Sequence, residues 1–312
     1  MSDIDPKSFF PAQPFGDISE VTPLTGGLSG DAVFVVETQA GGFVLRLFKR
    51  DRSQWEQGVI MQALAAERGV APQLVLVDKY RSATISSKVK GVPLGFAAAQ
   101  PELRDAVLAS LAAQIRALHQ TPTAGLGPRQ PLRMGQQLWQ SQSRRPGFPA
   151  WALPLGDKLI LIERQLATDT RLVFSHCDLN PANGIWDGQQ VWFVDWDGAG
   201  LAHPYLDAAV AANFLVLSAS EARRLLQAQE ADAVSVEQEA TFAALRALAY
   251  LIYGCVFLSL APDLTAVTFA DRPTTLTLSQ CFERLARGEL NLQSPSGQAL
   301  VGAALLRALA AS

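Results

Sequence analysis

The chain has 312 residues, 49% of them hydrophobic and 18% charged, a balance that excludes a disordered protein and indicates a folded globular one. Its length allows two lobes and is too great for one small core. A net charge of −3 and a pI near 5.7, without any dense basic run, give no electrostatic case for a nucleic-acid partner.

In chain order, the opening MSDIDPKSFFPAQPFG has no basic n-region and no apolar core, so no signal peptide is expected. Residues 21–50 read as a β-meander, with strands at 33–37 and 43–49 joined through Gln39-Ala40-Gly41-Gly42. Just upstream, Gly26, Gly27, Ser29 and Gly30 form a glycine-rich segment whose backbone N–H groups can approach a phosphate without a Cβ clash. It is not a Walker A loop, because no Gly-Lys-Ser/Thr follows and no helix begins there. Read without its context, the same segment fits an ordinary hairpin turn. Strand 43–49 offers two cations, Arg46 and Lys49, which alternation sends to opposite faces. Arg46 lies between Leu45 and Leu47 and carries a planar fork suited to phosphate oxygens, whereas Lys49, beside Arg50 at the strand end, is expected in solvent.

A helix is expected from 53 to 68, stopping at Gly69, followed by strands at 73–77 and 83–87. The turn at 88–91 is a natural hinge. Beyond it strand patterns cease until 171, leaving a helix near 102–119 and a Pro/Gly/Gln-rich stretch at 121–149. Past 204 the pattern is helical, with a capping box at Ser218–Glu221 and helices at 236–260 and 296–311. The longest apolar run, 247–261, is shorter than the roughly 20 residues of a membrane span. It is therefore expected to be a buried helix in a soluble protein that makes no membrane contact. Cys177, Cys255 and Cys281 lack metal spacing and are expected to be reduced thiols in a cytoplasmic protein.

The most informative segment is 174–200, FSHCDLNPANGIWDGQQVWFVDWDGAG. Short strands at 171–174, 185–186 and 191–194, the last two joined by the Asp187-Gly188 turn, carry His176, Asp178, Asn183 and Asp195 on their loops and exits. Two acids and an amide so placed can grip magnesium and aim a hydroxyl at a nucleotide phosphate. A plain Asx-turn would explain Asn180 or Asn183 singly, but not the four residues together.

This constellation resembles the catalytic loop of the protein-kinase-like small-molecule phosphotransferases, HxDxxxxN followed by a strand ending in Asp. DLNPAN with VDWD looks most like the choline, ethanolamine and thiamine kinases and the aminoglycoside phosphotransferases. GGLSGDAVF is similar to the aminoglycoside-enzyme phosphate loop, GGLS is equally at home in choline kinases, and Val44-Leu45-Arg46 matches the choline-kinase-like branch. The resemblance implies an α+β, bilobal, protein-kinase-like fold: a β-rich lobe of five strands and one helix at 1–87, a hinge at 88–91, and a mostly helical lobe at 92–312.

For function, the resemblance implies transfer of the γ-phosphate of ATP, with Mg²⁺, to a hydroxyl of a small, cationic molecule. Asp178 would accept or orient the acceptor's proton, and Asn183 and Asp195 would hold the metal. Gly26, Gly27, Ser29, Gly30 and Arg46 would meet the nucleotide. Glu56, or secondarily Glu67, would hold Arg46, the alternative being a solvent-facing helix acid. His176 and Asp207, within His203-Pro204-Tyr205-Leu206-Asp207, would brace the loop; Asp197 and Trp196 could touch a second metal or the substrate. An aminoglycoside phosphotransferase and a nucleotide-binding pseudoenzyme stand as alternatives. A quaternary-ammonium acceptor calls for aromatic faces, from Trp196, Tyr250, Tyr253, Phe257, Trp139 or Trp151, although helical spacing also fits a core role for Tyr250, Tyr253 and Phe257. A polycationic acceptor calls instead for acids such as Glu221, Glu230, Asp232, Glu237 and Glu239. The oligomeric state is left open.

Overall fold

The computed structural model describes residues 5–24, 30–49, 52–267 and 276–312. Its elements in order are α1 (Ala12–Phe15), β1 (Ile18–Leu24), β2 (Ala32–Thr38), β3 (Gly41–Leu47), α2 (Arg52–Glu67), β4 (Leu74–Asp78), β5 (Ala83–Ser87), β6 (Val92–Pro93), α3 (Leu94–Ala98), α4 (Pro101–His119), α5 (Pro131–Gln142) and α6 (Gly156–Leu166). There follow β7 (Val173–Ser175), β8 (Gly184–Trp186), β9 (Val191–Phe193), β10 (Gly200–Ala202), α7 (Leu206–Phe214), α8 (Ala219–Glu230), α9 (Val236–Leu260), α10 (Leu278–Ala286) and α11 (Pro295–Ala311). The class is mixed α+β, with an N-terminal antiparallel sheet and a larger helical part, as the resemblance implies.

The chain divides into two compact units. The first comprises Met1–Pro122 with Pro181–Gly200, the second Thr123–Asn180 with Leu201–Ser312. Residues 88–91 lie inside the first unit, between β5 and β6.

The first unit is built on a five-stranded antiparallel sheet of order β1-β2-β3-β5-β4. Its central strands are rich in Val, Phe, Ile and Thr, which fit a pleated, half-buried surface. β2 and β3 close on the pair Thr38↔Gly41, and Gly41 sits at φ 131°, open to glycine. Pro23 lies in β1, an edge strand, the place in a sheet where proline is accommodated. Alternation sends Val36, Leu45, Leu47 and Ile85 into a core capped by Phe9, Phe10 and Phe15 from the N-terminal segment, with Phe15 meeting the Phe43 ring edge-on at 4.9 Å. Arg46, between Leu45 and Leu47, therefore points to the other face. A three-stranded sheet, β6-β8-β9, completes this unit, and the β9 amide of Val191 donates to Ser110 Oγ of α4 at 2.9 Å.

The second unit is helical and centred on α9, against which α5, α6, α7 and α11 pack. Among the described residues α9 alone is long and apolar enough to cross a membrane. Its 25 residues exceed the shorter apolar run seen in sequence. Its packing on four helices gives those side chains a protein interior to occupy. α9 and α11 cross closely at Gly254 and Gly302, where a Cβ on Gly302 would come within 2.9 Å of the Gly254 carbonyl oxygen. Ser235 and Gln238 form a capping box at the start of α9. At its end Arg145 donates to the carbonyls of Leu258 (2.7 Å), Ala261 (2.6 Å) and Pro262 (3.1 Å), satisfying acceptors a helix terminus leaves unpaired. The capping box expected at Ser218–Glu221 is present and opens α8.

One stretch receives no element from the sequence. The Pro/Gly/Gln-rich segment after α4 contains a full helix, α5. Its buried positions are Gly135, Trp139 and Gln142, a helical face that carries no aliphatic stripe. Gly135 is there because a Cβ would meet Leu248 of α9 at 2.9 Å.

Candidate active site

The loop entering the site is fixed by a buried carboxylate of the second unit. Asp207, in the first turn of α7 and fully buried, accepts the backbone N–H of His176 on Oδ2 and that of Cys177 on Oδ1, each at 2.8 Å. Burial pushes the Asp207 carboxyl above its ordinary range, against the pull of His176 and of these two N–H bonds. His176 is itself fully buried, and Cys177 takes a left-handed backbone, φ 64°. Replacing Asp207 by Ala would strand two buried donors, at about 1–3 kcal/mol each. A loss of about 2–4 kcal/mol in urea unfolding is expected on that basis; a loss below 1 kcal/mol would remove the brace.

Asp178 is one residue further on. Its Oδ1 takes Tyr253 Oη of α9 at 2.5 Å and Asn180 Nδ2 at 2.9 Å. Burial and the neighbouring Asp178 charge push the Tyr253 phenol well above its ordinary pKa, so it is a donor here. Tyr253 is half-buried and continues an aromatic group, meeting Phe214 of α7 edge-on at 4.8 Å, while Phe214 stacks on Phe282 of α10 at 6.2 Å. Of the aromatics singled out in sequence, Tyr250, Phe257, Trp139 and Trp196 are buried in their cores; Trp196 donates Nε1–H to the Phe193 carbonyl at 3.2 Å. Phe214 and Phe282 were not legible as site residues, since each is one apolar position among many in a helical pattern.

In the first unit the β8–β9 hairpin brings Asn183 and Asp195 together. The Val194 N–H donates to the Asn183 carbonyl at 3.0 Å, which places the residue closing the loop beside the one leaving β9. Asp195 adopts φ 65°, ψ 73°, a left-handed turn that costs a non-glycine residue roughly 1–2 kcal/mol and clusters at functional sites. Its carboxylate, 36% exposed, meets Arg46 Nη1 at 2.9 Å. Arg46 is also bonded to Asp197 at 2.7 Å and Asp31 at 2.8 Å, and its guanidinium lies over the Phe48 ring at 4.4 Å. Burial opposes the Arg46 charge, but Asp195, Asp197 and Asp31 outweigh it and raise the pKa. Three carboxylates against one guanidinium leave a net charge of −2, and among the described residues no group of three or more His, Cys, Asp or Glu is placed to hold a metal ion.

Glu56 is a correction to the sequence reading as regards Arg46. It is exposed on α2, and the carboxylates on Arg46 are Asp31, Asp195 and Asp197 instead. Lys49 is exposed past the end of β3. Gly30 holds φ 76°, a conformation suited to glycine, while Gly26, Gly27 and Ser29 lie outside the described residues.

The sequence model of the phosphotransferase enzyme family matches residues 20–248. Among solved structures, a choline/ethanolamine kinase family protein from Mesorhizobium loti has a TM-score of 0.66 at 20% identity, covering 92% of this chain and 93% of that one. Choline kinase LicA from Streptococcus pneumoniae gives 0.65 at 13% identity, covering 97% and 96%, and LicA is also known in complex with AMP. The aminoglycoside phosphotransferase APH(3'')-Id from Streptomyces rimosus gives 0.51 at 21% identity, covering 73% and 92%. At these identities the likeness is one of fold. No curated protein matches the sequence.

Proposed function

Because the chain belongs to the phosphotransferase enzyme family, and so is a small-molecule phosphotransferase, we propose that it moves the γ-phosphate of ATP to a hydroxyl of a small cationic alcohol of the choline or ethanolamine type. The observation that carries this reading is the aromatic group Tyr253, Phe214 and Phe282 beside Asp178. Aromatic faces attract a compact organic cation, and the hydroxyl of such a molecule would then lie near the Asp178 carboxylate.

The acids a polycationic antibiotic would need are engaged elsewhere. Glu221 closes a capping box, Glu239 pairs with Arg223, Glu230 accepts from Gln238, Glu237 from Ser235, and Asp232 from the Ala233 N–H. Asp178 acts as the base or orienting group for the acceptor hydroxyl. Asn183 and Asp195, with Asp197 beside them, would hold Mg²⁺, which supplies charge neutralisation at the phosphates when bound. Arg46, with the backbone of Gly26, Gly27, Ser29 and Gly30, would meet the phosphate oxygens. The AMP complex of LicA supports a nucleotide site in this fold. A small lobe at 1–87, a hinge at 88–91, a helical lobe at 92–312 and a cytoplasmic location belong to the same reading.

The test is ADP release with Mg-ATP across choline, ethanolamine, thiamine, homoserine and a panel of aminoglycosides. Turnover is expected with a small cationic alcohol and not with aminoglycosides. Turnover of an aminoglycoside alone would overturn the acceptor assignment, and nucleotide binding without any turnover would favour a pseudoenzyme.

A further inference from the structure

The three carboxylates on Arg46 are not equivalent. Asp195 is 36% exposed and Asp197 13%, whereas the Asp31 side chain has no exposure at all. Asp31 Oδ2 takes Arg46 Nε at 3.1 Å and Nη2 at 2.8 Å, and its Oδ1 takes the backbone N–H of Lys49 at 3.1 Å. A carboxylate with both oxygens bound to the protein and no access to water is unsuited to bind metal or substrate. What it can do is set the plane of the guanidinium, by gripping the Nε edge and leaving Nη1 directed elsewhere. None of the three carboxylates on Arg46 comes from the helix after β3. α2 turns Gly58 toward Asp197, close enough that a Cβ there would stand 3.0 Å from Asp197 Oδ1, and Glu56 is exposed.

We infer that Asp31, immediately before β2, is the positioning residue for Arg46, in place of a carboxylate on α2. Asp31 follows Gly30 directly, so the cation expected to meet the phosphates and the glycine-rich backbone expected to meet them are joined by one buried ion pair. Its consequence is that the set of Arg46 depends on β2 and β3, which are bonded along their whole length, and not on the placement of a helix. The inference rests on the nucleotide role proposed for Arg46.

Asp31→Asn is close to isosteric, and Arg46 keeps Asp195 and Asp197 as compensating charges, so the variant is expected to fold; thermal unfolding checks it. The guanidinium should then swing toward Asp195 and Asp197 and compete with the metal for them. Mg-ADP affinity by titration calorimetry, and KM for ATP against kcat, would be measured on the full chain for Asp31→Asn, Arg46→Ala and the double variant. Asp31→Asn and Arg46→Ala are each expected to weaken nucleotide binding about 10-fold, the scale of one hydrogen bond to a charged group. The double variant should be no weaker than Arg46→Ala alone. Wild-type affinity in Asp31→Asn, or losses that multiply in the double variant, would overturn the positioning role while leaving Arg46 in place. Unchanged affinity in Arg46→Ala would overturn the nucleotide role of Arg46 and the inference with it. Should Asp31→Asn fail to fold, Asp31→Glu retains the charge but displaces the guanidinium, and a raised KM for ATP at unchanged melting temperature is the expected result; an unchanged KM overturns the inference.

Discussion

Asp178→Ala is expected to lower kcat by about 10³-fold, within the range of removing a positioned acid–base group, while nucleotide affinity changes by no more than about 3-fold. The split follows from what Asp178 touches. Its Oδ1 is occupied by Tyr253 and Asn180, both from the same unit as the aromatic group, which is why the proposed role of Asp178 is on the acceptor side. Tyr253 cannot take over as a base, because burial and the adjacent carboxylate keep its phenol protonated. Phosphoryl transfer depends mainly on placing the hydroxyl in line with the phosphate, so an Ala at this position leaves the nucleotide bound with nothing to direct its acceptor. Single-turnover rates and calorimetric nucleotide titration on the same sample separate the two effects. A parallel fall in both would remove Asp178 from the acceptor side.

Asp195→Ala should produce the second large effect, a loss of the Mg²⁺-dependent part of nucleotide affinity and with it about 10³-fold in kcat. The carboxylate is the most exposed of the three on Arg46, and removing it brings the local charge from −2 to −1, a weaker call on a divalent ion. Because Asp195 sits at φ 65°, Ala also carries a backbone cost of about 1–2 kcal/mol. Asp195→Asn is the cleaner comparison, since Asn tolerates that backbone and removes only the charge. Nucleotide affinity is to be titrated with and without Mg²⁺ in both variants. If added magnesium still tightens binding as it does in the wild-type chain, Asp195 is not a metal ligand.

The parts of the fold that could be read ahead of the structure are those specified locally. The strand at 33–37, the Ser-x-x-Glu cap at Ser218 and the Asp187-Gly188 turn each encode their own geometry. α5 escaped because its buried face is Gly135, Trp139 and Gln142, a stripe defined only by the neighbouring α9. The carboxylates on Arg46 escaped for a related reason. Asp31 lies 15 positions away and Asp197 lies 151 away, and only β-sheet register and the 195–197 turn bring them to one guanidinium. Phe214 and Phe282 lie on α7 and α10, and no local pattern pairs residues from separate helices around Tyr253.

The first unit is assembled from two separate pieces of chain, with about sixty residues of the other unit between them. Val92 finds its partner in Trp186, and Phe193 donates its N–H to the Val70 carbonyl, so these bonds have no counterpart until the later piece has been made. During synthesis the early strands and helices must wait, half-finished, for residues 181–200 to leave the ribosome, and a fragment ended at residue 122 would hold β6 without its neighbour. Release of a truncated product would therefore expose an unpaired strand edge, the kind of surface on which newly made chains stick to one another.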